Sequence, residues 1–420
     1  MWVFVYNLLW KILAPGIKLY LRFSRKYFLL LNRFFPPIPP LTNPVWIHAC
    51  SVGEVNQIEP FIKQWHEIFP NISLMLTVST ISGFQQAERK YKEYSINITW
   101  CPFDHPEVVE SFLKQIAPRL LVIVETELWP NLIRLTNKYH IPIAIINGRI
   151  SDKFFRLYRR WKKVYKDLIQ KINIIMTPTE EYAERFTELG ADTQKICVVG
   201  NIKYDSVATG ININIRNRLR MSLDIPKDAK VIVFGSLRDG DEIVAKRVWE
   251  ELHTKFPNLF LILAPRHPEK KNQIMAYFGS EPIILRTDNL KGKRRQEEKI
   301  IVIDTIGELN QFYSIADVAI IGGSWFPGVD GHNPLEPAGL GVVPIFGPYM
   351  RNFQEPAEKL TKDDGAIQLQ NYEELPSVIE KLFQSPYESI NYGTRARKIV
   401  LQNQGAVQKT FSLLSNLIEF

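Results

Sequence analysis

Short apolar runs recur along most of this chain, and each is followed by a stretch whose apolar residues return at three- and four-residue steps. Val45–Ala49, Ser73–Thr77, Leu120–Val124, Ile143–Ile146, Asn173–Thr177 and Ile196–Val199 form one series. Lys230–Phe234, Phe260–Ala264, Ile283–Arg286, Ile300–Ile303, Val318–Ile321 and Val343–Phe346 form a second. Runs of this length without polar alternation read as strands covered on both faces, and the stretches between them as amphipathic helices. Such alternation predicts a parallel sheet with helices on both sides. Ser206–Arg216 is polar and breaks the rhythm, so it reads as an interdomain connection. The fold class is therefore α/β, with two tandem Rossmann-like domains and a central cleft. With 420 residues, 45% of them hydrophobic, the chain can fill two cores. The expected division is a segment 1–40, a domain 41–210 and a domain 211–420, the last helix being free to pack back on the first domain.

The amino terminus stands outside this rhythm. From Met1 to Gly53 there is no Asp or Glu, while Lys11, Lys18, Arg22, Arg25, Lys26 and Arg33 alternate with large apolar residues such as Trp2, Phe4, Leu8, Trp10 and Ile12. Lys11 and the Pro15-Gly16 break interrupt the run before the ~20 residues that a membrane span needs. Arg22 to Lys26 crowd the place where a signal peptide would be cleaved, and no small-residue site follows. The expectation is a membrane-associating segment lying on an anionic cytoplasmic surface, with a single-pass signal anchor as the alternative. Pro36-Pro37-Ile38-Pro39-Pro40 then reads as a stiff spacer.

A second basic stretch lies at Asp152–Ile172. Phe154, Tyr158, Trp161, Tyr165, Leu168 and Ile172 share one helical face, with Lys153, Arg156, Arg159, Arg160, Lys163 and Lys166 mostly on the remainder. One amphipathic helix is expected, either docked on its own domain or meeting anionic lipid or a phosphorylated acceptor. The net charge of +8 points the same way, toward anionic partners. Cys50, Cys101 and Cys197 share no metal spacing and read as thiols in a reducing compartment.

Several stretches could carry chemistry. The run Asp317–Ile321 feeds Gly322-Gly323-Ser324-Trp325-Phe326-Pro327-Gly328-Val329-Asp330-Gly331-His332-Asn333-Pro334-Leu335-Glu336. Asn333 is placed as N-cap, Pro334 as the first helical residue, and Glu336 reaches back to the cap. The helix would open at the carboxyl end of a strand, where an anionic ligand such as a nucleotide phosphate binds. Plain capping is the competing reading, but four glycines exceed what a cap needs and suit close approach to a ligand. Glu54 follows Gly53 in a strand-to-helix turn, where it is either a dipole-favoured helix-start residue or a carboxylate held for use. Glu125 ends the apolar run Leu120–Val124, with Glu127 beside it; such carboxylates are costly unless paired or used. Lys203 follows the last strand of the first series, and Arg266 ends a strand of the second as a candidate phosphate clamp.

In this order the motifs Ser51-Val52-Gly53-Glu54, Glu125-Thr126-Glu127-Leu128-Trp129-Pro130-Asn131, Pro265-Arg266-His267-Pro268-Glu269 and Gly331-His332-Asn333-Pro334-Leu335-Glu336 resemble the 3-deoxy-D-manno-oct-2-ulosonic acid (Kdo) transferases. The resemblance extends to Asn403-Gln404-Gly405-Ala406 and so covers essentially the whole chain. It implies the glycosyltransferase B (GT-B) fold. It also implies inverting transfer of Kdo from CMP-Kdo to the lipid A precursor (lipid IVA) at the cytoplasmic face of a Gram-negative-type inner membrane, without a metal or other cofactor. Carried over residue by residue, Glu54 matches the general base, and Glu125 and Lys203 match positions that stabilise the transition state. Pro265, Arg266, Ile306, Gly307, Glu308, Asn333, Pro334, Leu335 and Glu336 match the CMP-holding segments. Ser51, Gly53 and Arg149 fall on the acceptor side.

The chain departs from the family pattern in places. Asp330 stands where the family has glycine, Arg238 where many relatives have histidine, and the threonine-rich loop reads Thr77-Val78-Ser79-Thr80-Ile81-Ser82-Gly83. Two other readings remain open at this point. A sugar-nucleotide epimerase of the same architecture would not need the membrane-seeking amino terminus. A nucleic-acid-binding protein is suggested by charge alone, but the basic residues cluster with aromatics in two amphipathic segments rather than in a nucleic-acid motif.

Overall fold

The computed structural model describes residues 2–418 other than 294 and 296. The chain divides into two compact units, Met1–Ser206 with Gln404–Phe420, and Val207–Asn403. In the first unit the described elements are, in order, α1 (Trp2–Phe23), β1 (Val45–His48), α2 (Val52–Gln57), α3 (Glu59–Ile68), β2 (Leu74–Val78), α4 (Ile81–Lys90), β3 (Ile96–Trp100), α5 (Pro106–Ile116), β4 (Leu120–Val124), α6 (Pro130–Lys138), β5 (Ile143–Ile146), α7 (Asp152–Arg160), α8 (Lys162–Ile169), β6 (Ile174–Thr177), α9 (Glu180–Leu189) and β7 (Ile196–Val198). Its described strands form one sheet of order β3-β2-β1-β4-β5-β6-β7, every pairing parallel.

The strand sequences explain why helices cover both faces. Successive side chains point to opposite sides. Val45 and Ile47 of β1, with Leu120, Val122 and Val124 of β4, enter the core that α2 and α3 cover. Trp46, Leu121 and Ile123 enter the opposite core, shared with α5 and α6. Four or five fully buried residues in succession are what this demands, and β1, β2, β4 and β5 show it. The sequence reading did not include β3, an edge strand whose first residues are only half-buried. Its alternating Ile-Asn-Ile-Thr-Trp gave too weak an apolar run.

The second unit repeats the plan. After α10 (Ile213–Ser222) come β8 (Lys230–Leu237), α11 (Asp241–Leu252), β9 (Leu259–Pro265), α12 (Lys271–Phe278), β10 (Ile283–Leu285), α13 (Arg286–Asn289), β11 (Ile300–Val302), α14 (Leu309–Tyr313), β12 (Val318–Ile321), α15 (Leu335–Gly339) and β13 (Val343–Phe346). Then follow α16 (Gln354–Lys362), β14 (Ile367–Gln368), α17 (Leu375–Gln384) and α18 (Pro386–Asn403). The sheet order is β10-β11-β9-β8-β12-β13-β14, again parallel. Ile232 and Phe234 of β8 face one core, Val231 and Val233 the other. The two-residue β14 was too short to be read from sequence.

Three expectations need correction, and one left open is decided: the last helix packs back on the first unit, so the second ends at Asn403. The last helix, α19 (Ala406–Leu414), is held in the first unit by the Asp205 carboxylate, which accepts from the backbone N–H groups of Gly405 and Val407 at 2.6 Å each. Phe411 stacks on Phe61 at 4.6 Å. The amino-terminal segment is likewise part of the first unit, and α1 runs unbroken through Pro15. Its inner face is held by tertiary contacts, with Ala14 and Leu21 buried, and this offsets the proline's missing donor. Nor is the Pro36–Pro40 stretch a bare spacer, since the Thr99 hydroxyl donates to the Pro37 carbonyl at 2.5 Å.

The third correction concerns the basic aromatic stretch. It is two helices, α7 and α8, broken at Trp161. Tyr158, Leu168 and Ile172 are buried, while Phe154 and Trp161 are 50% and 57% exposed, so the expected single face does not survive. Among the described residues no helix is long and apolar enough to cross a membrane.

Candidate active site

All strands of each sheet are parallel, so their carboxyl ends lie along one edge, where an open α/β sheet builds its site. In the first unit, β1 ends into Cys50-Ser51 and α2. Ser51 caps α2, and Glu54 sits on its first turn. The Glu54 carboxylate accepts from the Cys50 N–H at 2.7 Å and from the Ser51 hydroxyl at 2.9 Å. Glu54 thus completes a cap and is at the same time a buried carboxylate at the strand ends. Burial, and then the charge of Glu125, push its pKa up to about 8, against the pull of its two donors. Gly53 leaves room above this turn, since an added Cβ would meet only the Ser51 hydroxyl at 3.7 Å.

Glu125 leaves β4 in the left-handed region, φ 59, which a non-glycine residue adopts at a cost. Its carboxylate accepts from the Gln57 side chain at 3.1 Å and lies 3.9 Å from the Arg149 guanidinium. Asn147, fully buried and also left-handed at φ 50, donates to the Gln57 side-chain Oε1 at 3.4 Å. Gln57 thus ties α2 to the loops after β4 and β5. Sequence reasoning named Glu54, Glu125, Ser51, Gly53 and Arg149 but missed Gln57 and Asn147. The available signal was the position of Gln57 three residues after Glu54, which puts both on one side of α2.

Glu127 is held above the usual carboxylate range, chiefly by burial, and accepts from the Trp129 indole at 2.5 Å. Cys50 beside it is no thiolate, because burial and then the charges of Glu127 and Glu54 hold its thiol far up. Lys203 follows β7, three strands from β4. Ile202, fully buried in one cluster with Val55 and Ile58, draws that segment back over the α2–α3 side. Lys203 itself receives a fixed backbone, its N–H donating to the Asn201 side chain at 3.1 Å.

In the second unit the loops after β8, β9, β11 and β12 converge because those strands are neighbours. The Asp241 carboxylate, 1% exposed, accepts from the N–H groups of Arg238 at 2.8 Å and Gly323 at 2.7 Å, locking two of the loops together. Arg266 is exposed, and its N–H donates to the Leu237 carbonyl at 2.9 Å. Lys271 reaches Asp304 at 2.7 Å, tying the β9 loop to the β11 loop. There Ile306 is 85% exposed, Gly307 has φ 88, and Glu308 pairs with the buried Arg286 at 3.0 Å. A cavity of about 420 Å³ opens among Leu237, Arg238, Pro265, His267, Gln273 and Val329.

The glycine-rich turn corrects one argument. A Cβ on Gly322 would lie 2.4 Å from the Ser236 carbonyl, and one on Gly331 would lie 2.4 Å from the Met350 sulfur. These glycines are required by the protein's own packing before any ligand arrives. Asp330 takes φ 64, a conformation that explains glycine at this place, and its carboxylate lies 3.8 Å from Arg351. Helix α15 begins one residue later than expected and has only 5 residues. Its N-cap is therefore Pro334, and Asn333 lies one residue before the cap, its side chain accepting from the Leu335 N–H at 3.0 Å and donating to Glu336 at 3.2 Å. His332 is kept neutral, its pKa lowered to about 3 by burial and then by Arg266, Arg238 and His267, so this corner is electropositive. Among the described residues no three His, Cys, Asp or Glu side chains gather as metal ligands.

A family model described as 3-Deoxy-D-manno-octulosonic-acid transferase (kdotransferase) matches residues 25–206. A 3-deoxy-D-manno-octulosonic acid transferase of Chlamydophila psittaci is 30% identical, with 92% of this chain and 88% of that one covered. One of Haemophilus influenzae is 28% identical over 100% of this chain and 99% of its own. A bifunctional glycosyltransferase/methyltransferase of Fusobacterium nucleatum is 31% identical over 99% of this chain, which spans 64% of its length. Among solved structures, a glycosyltransferase of Rickettsia africae aligns at TM-score 0.58 and 12% identity, covering 91% of this chain and 100% of that one. A UDP-GlcNAc 2-epimerase of Neisseria meningitidis aligns at 0.59 and 12%, covering 89% and 100%. These two likenesses establish the GT-B-like fold and nothing finer.

Proposed function

Because this chain belongs to the 3-deoxy-D-manno-octulosonic acid transferase family, we propose that it moves Kdo from CMP-Kdo to a hydroxyl of the lipid A precursor, lipid IVA, with inversion. The observation that carries the mechanism is Glu54, a carboxylate buried at the strand ends and pushed up to about 8. A sugar hydroxyl is a poor nucleophile at neutral pH, and a base poised near that pH contributes roughly 10²–10⁴-fold. Glu54 takes the hydroxyl proton as the acceptor oxygen attacks the donor's anomeric carbon. The bond to phosphate breaks, and CMP leaves with the electron pair. Glu125 and Lys203 stabilise the oxocarbenium-like transition state, while Ser51, Gly53 and Arg149 shape the acceptor side.

Donor binding falls to the second unit. Arg266 neutralises the phosphate, with Pro265 and the Ile306-Gly307-Glu308 loop beside it. Asn333, Pro334 and Leu335 present the start of α15, and Glu336 accepts from ribose hydroxyls. Five helical residues make a weak dipole, so the guanidinium carries more of the charge than the helix does. A single-phosphate leaving group needs no divalent ion, and activity is expected to survive exhaustive EDTA treatment. Loss restored by Mg²⁺ would refute that.

The membrane surface is proposed on two exposed patches of the first unit. Phe4, Leu8, Ile12 and Phe23 project from α1 at 72%, 45%, 64% and 77% exposure, and Phe154 and Trp161 from the α7–α8 break. Trp2 of α1 packs against the same core cluster as Tyr158 and Leu168. An epimerase would share the fold but has no use for such a surface. The deciding experiment incubates the protein with CMP-Kdo and the lipid A precursor and weighs the lipid by mass spectrometry. Mass increments of Kdo support the reading, and unchanged lipid with intact CMP binding removes it.

A further inference from the structure

Where α1 crosses the first unit it meets residues with no role assigned so far. Asp104, 4% exposed, precedes α5, and its carboxylate accepts three hydrogen bonds. They come from the Tyr6 hydroxyl at 2.8 Å, the Asn131 N–H at 2.9 Å and the Leu132 N–H at 2.7 Å. The fully buried Asn131 side chain donates to the Asp104 carbonyl at 2.7 Å and to Asn7 Oδ1 at 2.8 Å. Two consecutive residues of α1 are therefore bonded into one polar cluster with the start of α6.

The cluster matters because of what lies next to it. Helix α6 opens after Trp129, whose side chain makes no cap, so its first amides depend on Asp104 from a separate loop. Upstream, the chain leaves β4 at Glu125 in a left-handed turn, and the Trp129 N–H closes on the Glu127 carbonyl at 3.0 Å. Residues 125–129 are thus strung between the end of β4 and a helix start that Asp104 holds. Inside a buried network, losing one donor leaves its partner's desolvation uncompensated and loosens the rest.

We propose that Tyr6 and Asn7 are positioning residues for the Glu125 loop: by completing the Asp104–Asn131 cluster they fix residues 125–129, so that docking of α1 sets turnover and not donor affinity. This rests on the Kdo-transfer reading. The hydroxyl of Tyr6 and the amide of Asn7 point into the protein, whereas Phe4, Val5, Leu8 and Leu9 of the same helix are exposed. The helix therefore joins an outer apolar surface to the inner support of a catalytic loop.

The test uses the full chain with Tyr6→Phe, which keeps the ring and removes only the hydroxyl, and with Asn7→Ala. Tyr387→Phe, on an exposed residue of the second unit, is the control. With detergent-dispersed acceptor, kcat is expected to fall about tenfold in Tyr6→Phe, which loses a hydrogen bond to a carboxylate, and about threefold in Asn7→Ala, which loses one between neutral amides, both at unchanged KM for CMP-Kdo. Amide exchange at Asn131 and Leu132 should quicken in both variants and not in the control. Unchanged kcat, unchanged exchange at those amides, or a fall in CMP affinity parallel to the fall in kcat would overturn the proposal. If the unaltered protein transfers no Kdo, the reaction reading falls, and exchange at Asn131 and Leu132 still decides whether α1 holds the α6 start.

Discussion

Glu54 shows how one residue can answer to two demands. Its carboxylate closes the turn after β1, and the same burial that makes the turn tight raises its pKa to about 8. In its proposed role as base it would act only when ionised, so kcat/KM should climb with pH and level off above about 8. A profile already flat at neutral pH would contradict this. Glu54→Gln keeps the shape but cannot take a proton, and turnover should fall at least ~10²-fold with CMP affinity within a few-fold. Retention of a tenth of kcat would exclude Glu54 as base. For Arg266, exposed and at the end of β9, truncation to Ala should cost about 1.5–3 kcal/mol in CMP binding by calorimetry, as expected for a charge-assisted phosphate contact. Unchanged affinity would take Arg266 out of the site.

At the scale of elements, α1 is the instructive case. Its composition suggested a detachable anchor, yet Tyr6, Trp10, Ala14 and Leu21 face inward; the Trp10 ring lies 6.0 Å from Phe103, and the Arg33 guanidinium beyond it donates to the Cys101 carbonyl at 3.0 Å. Deleting residues 1–35 would therefore strip support from the first unit as well as remove lipid contact. The cleaner change is on the outer face alone. Phe4→Ser, Leu8→Ser and Ile12→Ser together should release the protein from anionic vesicles while far-UV spectra and CMP affinity stay as they were. Full retention on vesicles would place the membrane contact elsewhere. The opposite-facing residues of one helix follow from its 3.6 period, but which face met protein could not be read from a segment apolar nearly all round.

For the molecule as a whole, the boundary between units follows packing and not chain order. Asp205 caps α19, and Phe411 is stacked on Phe61 in the first core, although residues 207–403 intervene. Phe411→Ala should destabilise the first unit by about 3–5 kcal/mol, the cost of emptying a buried aromatic site. Thermal unfolding with and without CMP separates the units: the transition that CMP protects should stay in place while the other moves down. A shift of the protected transition instead would assign α19 to the second unit.

The two α/β series were legible because a strand covered on both faces must be apolar at every position, and no other environment imposes that on so many short runs. The candidate site positions were legible for a related reason: Glu125 and Arg266 directly after such runs, and Glu54 one turn further on, stand at the carboxyl edge of a sheet. Half-covered elements such as β3 left no comparable trace, and the break at Trp161 interrupts a stretch whose periodicity alone runs straight through. Gln57, Asn147 and Asp104 were missed because their roles come from partners distant in the chain, Glu125, Gln57 and Tyr6, and the spacing of Gln57 from Glu54 gives its side of α2 but not its partner. Gly322 and Gly331 after β12 were read for an approaching ligand, whereas the Ser236 carbonyl and the Met350 sulfur already demand glycine there. Local chemistry is written in neighbouring residues; long-range hydrogen bonds and steric limits exist only once the chain has closed on itself.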